Sequence, residues 1–171
     1  MLSRSRAFNI EGATSFVWDV SGKVFPQQAL NGVDHVVHLA GANVGQRWTA
    51  SHKANILKSR TEGTALLANA LAQAGFSGTF IQASAIGLYG ECEHAGESSL
   101  KGEGFLSDVT AAWESAAKGL LPEEARHVTM RIGLVLSDRG GTLDKLLPIY
   151  RLGLGAPLGS GQQWMSWIHL D

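Results

Sequence analysis

Cysteine is almost missing from this chain: Cys92 stands alone. No internal disulfide can form, so small cross-linked secreted scaffolds are excluded. Long apolar runs are missing too, and none approaches the roughly 20 residues that span a bilayer as a helix. The opening residues, Met1-Leu2-Ser3-Arg4-Ser5-Arg6, lead into polar sequence and not into the apolar segment of a secretory signal. Runs of one charge are absent as well. With 14 Lys and Arg against 15 Asp and Glu, the net charge is -1, and no long-range field draws the chain to nucleic-acid phosphates or anionic lipid. Nucleic acid and membrane are therefore not expected partners, and the cytoplasm is the expected location.

What is present fits a globular domain, with 44% hydrophobic and 17% charged residues over 171 positions. Residues 15–20 read as a short strand, the turn Ser21-Gly22 follows, and residues 26–30 read as a short helix. A strand ends at Leu39-Ala40-Gly41. A helix capped by Thr49 or Ser51 is expected next, its buried stripe at Leu67, Ala70, Leu71 and Ala74 and its stop at Gly75. A strand over 79–84 leads into a glycine-containing loop over 90–104 that is too long for a plain connection. A helix over 105–120, with Val109, Ala112, Trp113, Ala116 and Leu120 on one face, precedes a strand over 127–136. Gly140-Gly141 opens a helix through Leu147, residues 153–161 are loop, and the segment from Trp167 reads as a strand or turn. Strands alternating with crossover-length helices predict an α/β fold with a parallel sheet covered on both faces.

In such a sheet the ligand lies outside the carboxyl ends of the strands. Two strands here switch there to small residues, at Leu39-Ala40-Gly41 and at Ser84-Ala85-Ile86-Gly87, which lets a backbone approach a ligand closely. The usual opening of a dinucleotide fold, a strand, a glycine-rich turn and a helix that receives the pyrophosphate, is not readable. The glycine-dense stretch 153–161 has neither a strand before it nor a helical pattern after it, so a turn-rich pocket wall is the preferred reading. The chain reads as one truncated at its start, and at its end as well.

Several blocks in order carry a resemblance: His38-Leu39-Ala40-Gly41, Arg47-Trp48 through Ser59-Arg60-Thr61, Ala83-Ser84-Ala85-Ile86-Gly87-Leu88-Tyr89-Gly90, Phe105-Leu106 with Trp113-Glu114, Arg131-Ile132-Gly133-Leu134-Val135-Leu136, and Arg151-Leu152-Gly153 through Ser166-Trp167-Ile168-His169. Together they resemble the atypical short-chain dehydrogenase/reductases of the sugar-nucleotide epimerase-like type. The resemblance implies a Rossmann-type NAD(P)-binding fold. Residues 1–171 would form a single partial domain, with 140–171 beginning the substrate side and the first strand, glycine turn and first helix missing. It also implies that Leu39, Ala40 and Gly41 pass beneath the adenosine side of the cofactor, that Ser84 stands near the nicotinamide, and that Arg131 belongs with the cofactor-binding residues. Ser3 and Arg4 match the position that holds a ribose 2′-phosphate. A guanidinium suits a dianion there, whereas NAD-specific folds place an acidic residue on the 2′-hydroxyl. NADP is the expected cofactor, with NAD as the alternative.

Members of this superfamily pair a catalytic tyrosine with a lysine four residues later on one helix face. Here that helix offers Phe105 or Leu106 and Val109 or Thr110 instead, and its lysine is Lys118. Losing such a proton donor costs roughly 10²–10⁴ in rate. Tyr89, just past the strand that ends near Ser84, is the best substitute, its alternative being a pocket-wall aromatic. Ser84 reads as a hydrogen-bond donor, since nothing places a base beside it. Lys58 and Arg60 could meet phosphate or carboxylate, or simply lie on a solvated helix face. His35 and His38 sit on opposite faces of a strand, and Cys92 with His94 fall short of a zinc ligand set, so no metal is expected. Trp164 and Trp167 could line a substrate pocket or pack in a core.

Two functions follow: an NADP-binding oxidoreductase or epimerase-like enzyme acting on a small polar, sugar-derived substrate, or a nucleotide-binding sensor or interaction protein that has lost catalysis. Without its first strand, the sheet would expose apolar edges and could pair with another copy.

Overall fold

The computed structural model describes residues 1–4 and 11–171. The chain divides into two compact units: Met1–Ala83 with Ala111–Met130, and Ser84–Thr110 with Arg131–Asp171.

In the first unit, β1 (Leu2–Ser3) pairs in parallel with β2 (Phe16–Val17). The turn after β2 closes where Asp19 bridges Val24, and a 3-10 helix, Gln27–Leu30, follows. β3 (His35–His38) pairs in parallel with β4 (Thr79–Ala85) in register from His35↔Thr79 to His38↔Gln82, and β4 lies between β3 and β5 (Arg126–Ile132). Between β3 and β4 runs α1, Ala50–Gln73. Thr49 caps it, its hydroxyl accepting from the His52 amide, and Gly75 takes a left-handed φ of +61° just beyond its end. The buried face carries Ile56, Gly63, Thr64, Leu67, Ala68, Ala70 and Leu71. Ala74, expected to extend that stripe, is exposed because it is the C-cap. Leu67, Leu71 and Phe80 meet Trp18, Phe76 and Ala117 in the core.

α2 spans Phe105–Ser115, five residues shorter than its apolar pattern predicts. The Trp113 carbonyl, which would accept from residue 117 in a continuing α-helix, accepts instead from the Ala116 amide and from Gln82 Nε2 at 2.6 Å. The chain then proceeds through turns over 116–120.

The strand expected over 127–136 is two strands. β5 ends at Ile132 and β6 runs Leu134–Ser137, with a break at Gly133. A Cβ on Gly133 would stand 3.1 Å from the Ser166 carbonyl oxygen, so a side chain there would press that segment back by a few tenths of an ångström. β6 pairs in parallel with β7, Trp167–His169. Between them α3, Gly141–Arg151, starts where the glycines predict. Among the described residues, no helix is long and apolar enough to cross a membrane.

Candidate functional site

The first unit holds a cavity of about 340 Å³ whose lining includes Arg4, Ala40, Gly41, Lys58, Ser59 and Glu62. Three expected cofactor residues, Arg4, Ala40 and Gly41, meet there. Leu39 points elsewhere: it is 63% exposed and borders a larger apolar groove with Val37 and Met1. Ser3 is buried within β1, where its carbonyl accepts from the Trp18 amide, and it is not among the lining residues. Lys58 is exposed and lines the cavity.

Arg60, one residue beyond Ser59, is half-buried rather than solvated. Its Nη1 donates to the carbonyls of Ala42 (3.0 Å) and Ile56 (3.2 Å), and Cζ lies 4.9 Å from the centre of the Trp113 ring. Burial lowers its pKa, yet a guanidinium keeps its charge. The Ser59 hydroxyl accepts from the Ala42 amide at 3.0 Å.

Within the first unit several polar side chains are buried beside the apolar core. Trp113 Nε1 donates to Thr64 Oγ1, which also shares a hydrogen bond with His38 Nε2; Gln82 donates to the Trp113 carbonyl and accepts from His127 Nε2. His38 stacks on Phe80 and meets Trp18 edge-on. Desolvation pushes its pKa down to about 4, and desolvation is also the main cause lowering that of His127. His35 is exposed where His38 is buried, so the two do not converge. No group of three or more potential metal ligands occurs among the described residues.

The second unit carries the expected catalytic residues. Ser84 is 3% exposed near the end of β4. A 3-10 helix, Ile86–Tyr89, follows directly and delivers Tyr89 to a pocket of about 160 Å³ lined also by Cys92, Glu93, Trp164, Met165 and Ser166. Arg131 Nη1 donates to the Tyr89 hydroxyl oxygen at 2.7 Å and to the Glu97 carbonyl at 2.9 Å, with Cζ 5.3 Å from the Tyr89 ring centre. Because Arg131 only donates, the phenolic proton points away from it. Sequence reasoning placed Arg131 with the cofactor and missed this pair, since 42 residues separate its members and no spacing rule links them. Trp164 and Trp167 are both exposed, so neither packs in a core; Trp164 borders the Tyr89 pocket.

A family model described as the NAD dependent epimerase/dehydratase family matches residues 4–111. The chain belongs to this family. It is 41% identical over 157 residues to epimerase family protein Mb2239 of Mycobacterium bovis, covering 90% of this chain and 52% of that protein. The epimerase-family chain thus spans about half the length of the curated relatives it matches. Among solved structures it is similar to human epimerase family protein SDR39U1, determined with NADPH: TM-score 0.77, 31% identity, 98% of this chain and 56% of that one. It is also similar to a nucleoside-diphosphate sugar epimerase from Corynebacterium glutamicum, at TM-score 0.68 and 32% identity, covering 92% of this chain and 36% of that one. The α/β architecture is accordingly Rossmann-type, as the family resemblance implies.

Proposed function

We propose that this chain is the cofactor-side portion of an NADP-preferring epimerase or oxidoreductase acting on a sugar-derived substrate, with Ser84 and Tyr89 near the chemistry. The observation that carries the cofactor reading is the cavity that joins Arg4 and Lys58 to the small residues Ala40 and Gly41. Arg4 and Lys58, which share the lining with Asp19 and Glu62, suit a ribose 2′-phosphate, and the small residues Ala40 and Gly41 let the adenosine side approach their part of the wall. The donor set therefore fits a phosphorylated dinucleotide, in keeping with the NADPH of the human relative. Leu39 and Ser3 would act there through the backbone they fix. When bound, the nicotinamide supplies hydride transfer. The sugar-derived substrate is proposed from the likeness to the Corynebacterium nucleoside-diphosphate sugar epimerase.

The protein's own contribution to the chemistry would be proton handling. Tyr89 bears a proton that Arg131 does not engage, and the guanidinium beside it favours the negative oxygen left when the proton departs. Arg131 thus takes a place beside Tyr89, in the second unit, in addition to the cofactor role expected for it. Ser84 would hold a substrate or cofactor group in position.

A second reading, a nucleotide-binding protein without catalysis, is favoured by α2, which presents Phe105, Leu106, Val109 and Thr110 where a tyrosine and lysine would stand. Both readings place the protein in the cytoplasm, with no nucleic-acid or membrane partner, and leave self-association to be measured. They separate by turnover of a carbonyl panel at saturating NADPH: the enzyme reading expects turnover that Tyr89→Phe lowers by roughly 10²-fold or more, and no turnover across the panel contradicts it. For the cofactor, Arg4→Ala is expected to weaken NADPH binding about tenfold or more while sparing NADH. Equal losses for both would remove Arg4 from the 2′-phosphate.

A further inference from the structure

One feature of the first unit has no part in the function proposed above. Ser59 and Arg60, consecutive on α1, grip one residue in the loop after β3 through both of its peptide groups: the Ala42 amide donates to Ser59 Oγ, and Arg60 Nη1 donates to the Ala42 carbonyl, each at 3.0 Å. The next residue back, Gly41, lines the cavity, and a Cβ there would stand 3.0 Å from Arg60 Cζ. Arg60 does not line the cavity itself. The guanidinium is held in turn by the Ile56 carbonyl and the Trp113 ring, and Trp113 is fixed by Thr64.

We infer that Arg60 is a positioning residue for the dinucleotide: clamped between Trp113 and Ala42, it sets the Gly41 wall against which the adenosine side rests. This rests on the cofactor reading above. A loop held by one hydroxyl alone would sample several wall positions, and only the fraction in the binding shape counts toward affinity. Arg is suited to the task and Lys is not, because a guanidinium can set its carbon over an indole ring while one of its nitrogens donates to two carbonyls.

The test uses the 171-residue chain and its variants Arg60→Met, Arg60→Lys and Ser59→Ala, with Phe76→Leu as a control that loosens the core at a residue outside the cavity lining. Three quantities are read: NADPH affinity by calorimetry, amide exchange at Ala42, and Tm. Arg60→Met is expected to weaken NADPH binding about tenfold and to speed exchange at Ala42 beyond what Phe76→Leu causes at an equal loss of Tm. Arg60→Lys should recover only part of the affinity, and Ser59→Ala should speed the same amide. Affinity unchanged in Arg60→Met while the unmodified chain binds NADPH would overturn the role alone. Affinity lost only in step with Tm, as in the control, would reduce Arg60 to a packing residue and overturn it too. Failure of the unmodified chain to bind either NADPH or NADH would overturn the cofactor reading and this role with it, and is distinguishable from both.

Discussion

The cavity beside Arg4 and the pocket beside Tyr89 are held in shape by different means. The first is backed by buried side chains that satisfy one another, from His38 through Thr64 and Trp113 to Gln82 and His127. The second rests on the loop 90–104 and on residues 151–171, nearly all of which are exposed. Its fixed points are few: the Arg131–Tyr89 bond, and the Ser107 hydroxyl, which donates to the Leu88 and Gly102 carbonyls. A buried polar network is costly to break because each orphaned group loses water as well as its partner. An exposed one is cheap to break, since water replaces what is lost. The cofactor-side cavity should therefore be rigid and sensitive to core substitutions, and the Tyr89 pocket adaptable and tolerant.

The contrast is sharpest in Thr64→Val. It strips partners from Trp113 Nε1 and His38 Nε2 together and is expected to cost about 4 kcal/mol, at roughly 2 per orphaned group. Urea denaturation monitored by tryptophan fluorescence measures it, and a cost under about 1 kcal/mol would show that the network is not structurally coupled. Acid should act on the same core. His38 titrates near 4 when folded against an ordinary 6.5, so the unfolded chain binds its proton first. The stability that neutral His38 contributes is complete above pH 6.5 and is lost as pH falls toward 4, by about 3 kcal/mol. His127 shifts in the same direction. His38→Gln should flatten this acid limb in melts taken from pH 7 to 4, and an unchanged limb would assign it to other groups.

Effects in the second unit should be smaller. A Cβ on Gly102 would collide with the Tyr89 carbonyl oxygen, so Gly102→Ala should displace the loop at about 2 kcal/mol, visible as chemical-shift changes confined to the Tyr89 region. Arg131→Met removes a charged donor from a partly exposed phenol and should cost about 1 kcal/mol in the same denaturation assay. If it cost as much as Thr64→Val, the two regions would not differ as argued.

Much of this was legible in the sequence, for identifiable reasons. Thr49 and Gly75 bound α1 because capping and left-handed termination are local chemistry. The strands before Leu39 and Ser84 are apolar runs ending in small residues, so the wall formed by Ala40 and Gly41 could be foreseen. The end of α2 could not, because it is set by Gln82 reaching the Trp113 carbonyl from another element. The break at Gly133 likewise depends on the approach of Ser166. Arg60 reads as a surface helix residue until its indole partner, 53 positions later in the chain, is brought beneath it. Side chains whose partners are remote in sequence leave no periodic trace.

The central claim is that the Arg4 cavity takes a phosphorylated dinucleotide. Calorimetric titration of the unmodified chain with NADPH and, separately, NADH in one buffer tests it most directly. Micromolar binding is expected, with NADPH preferred by about tenfold or more. Equal affinity for the two, or binding of neither, would contradict it.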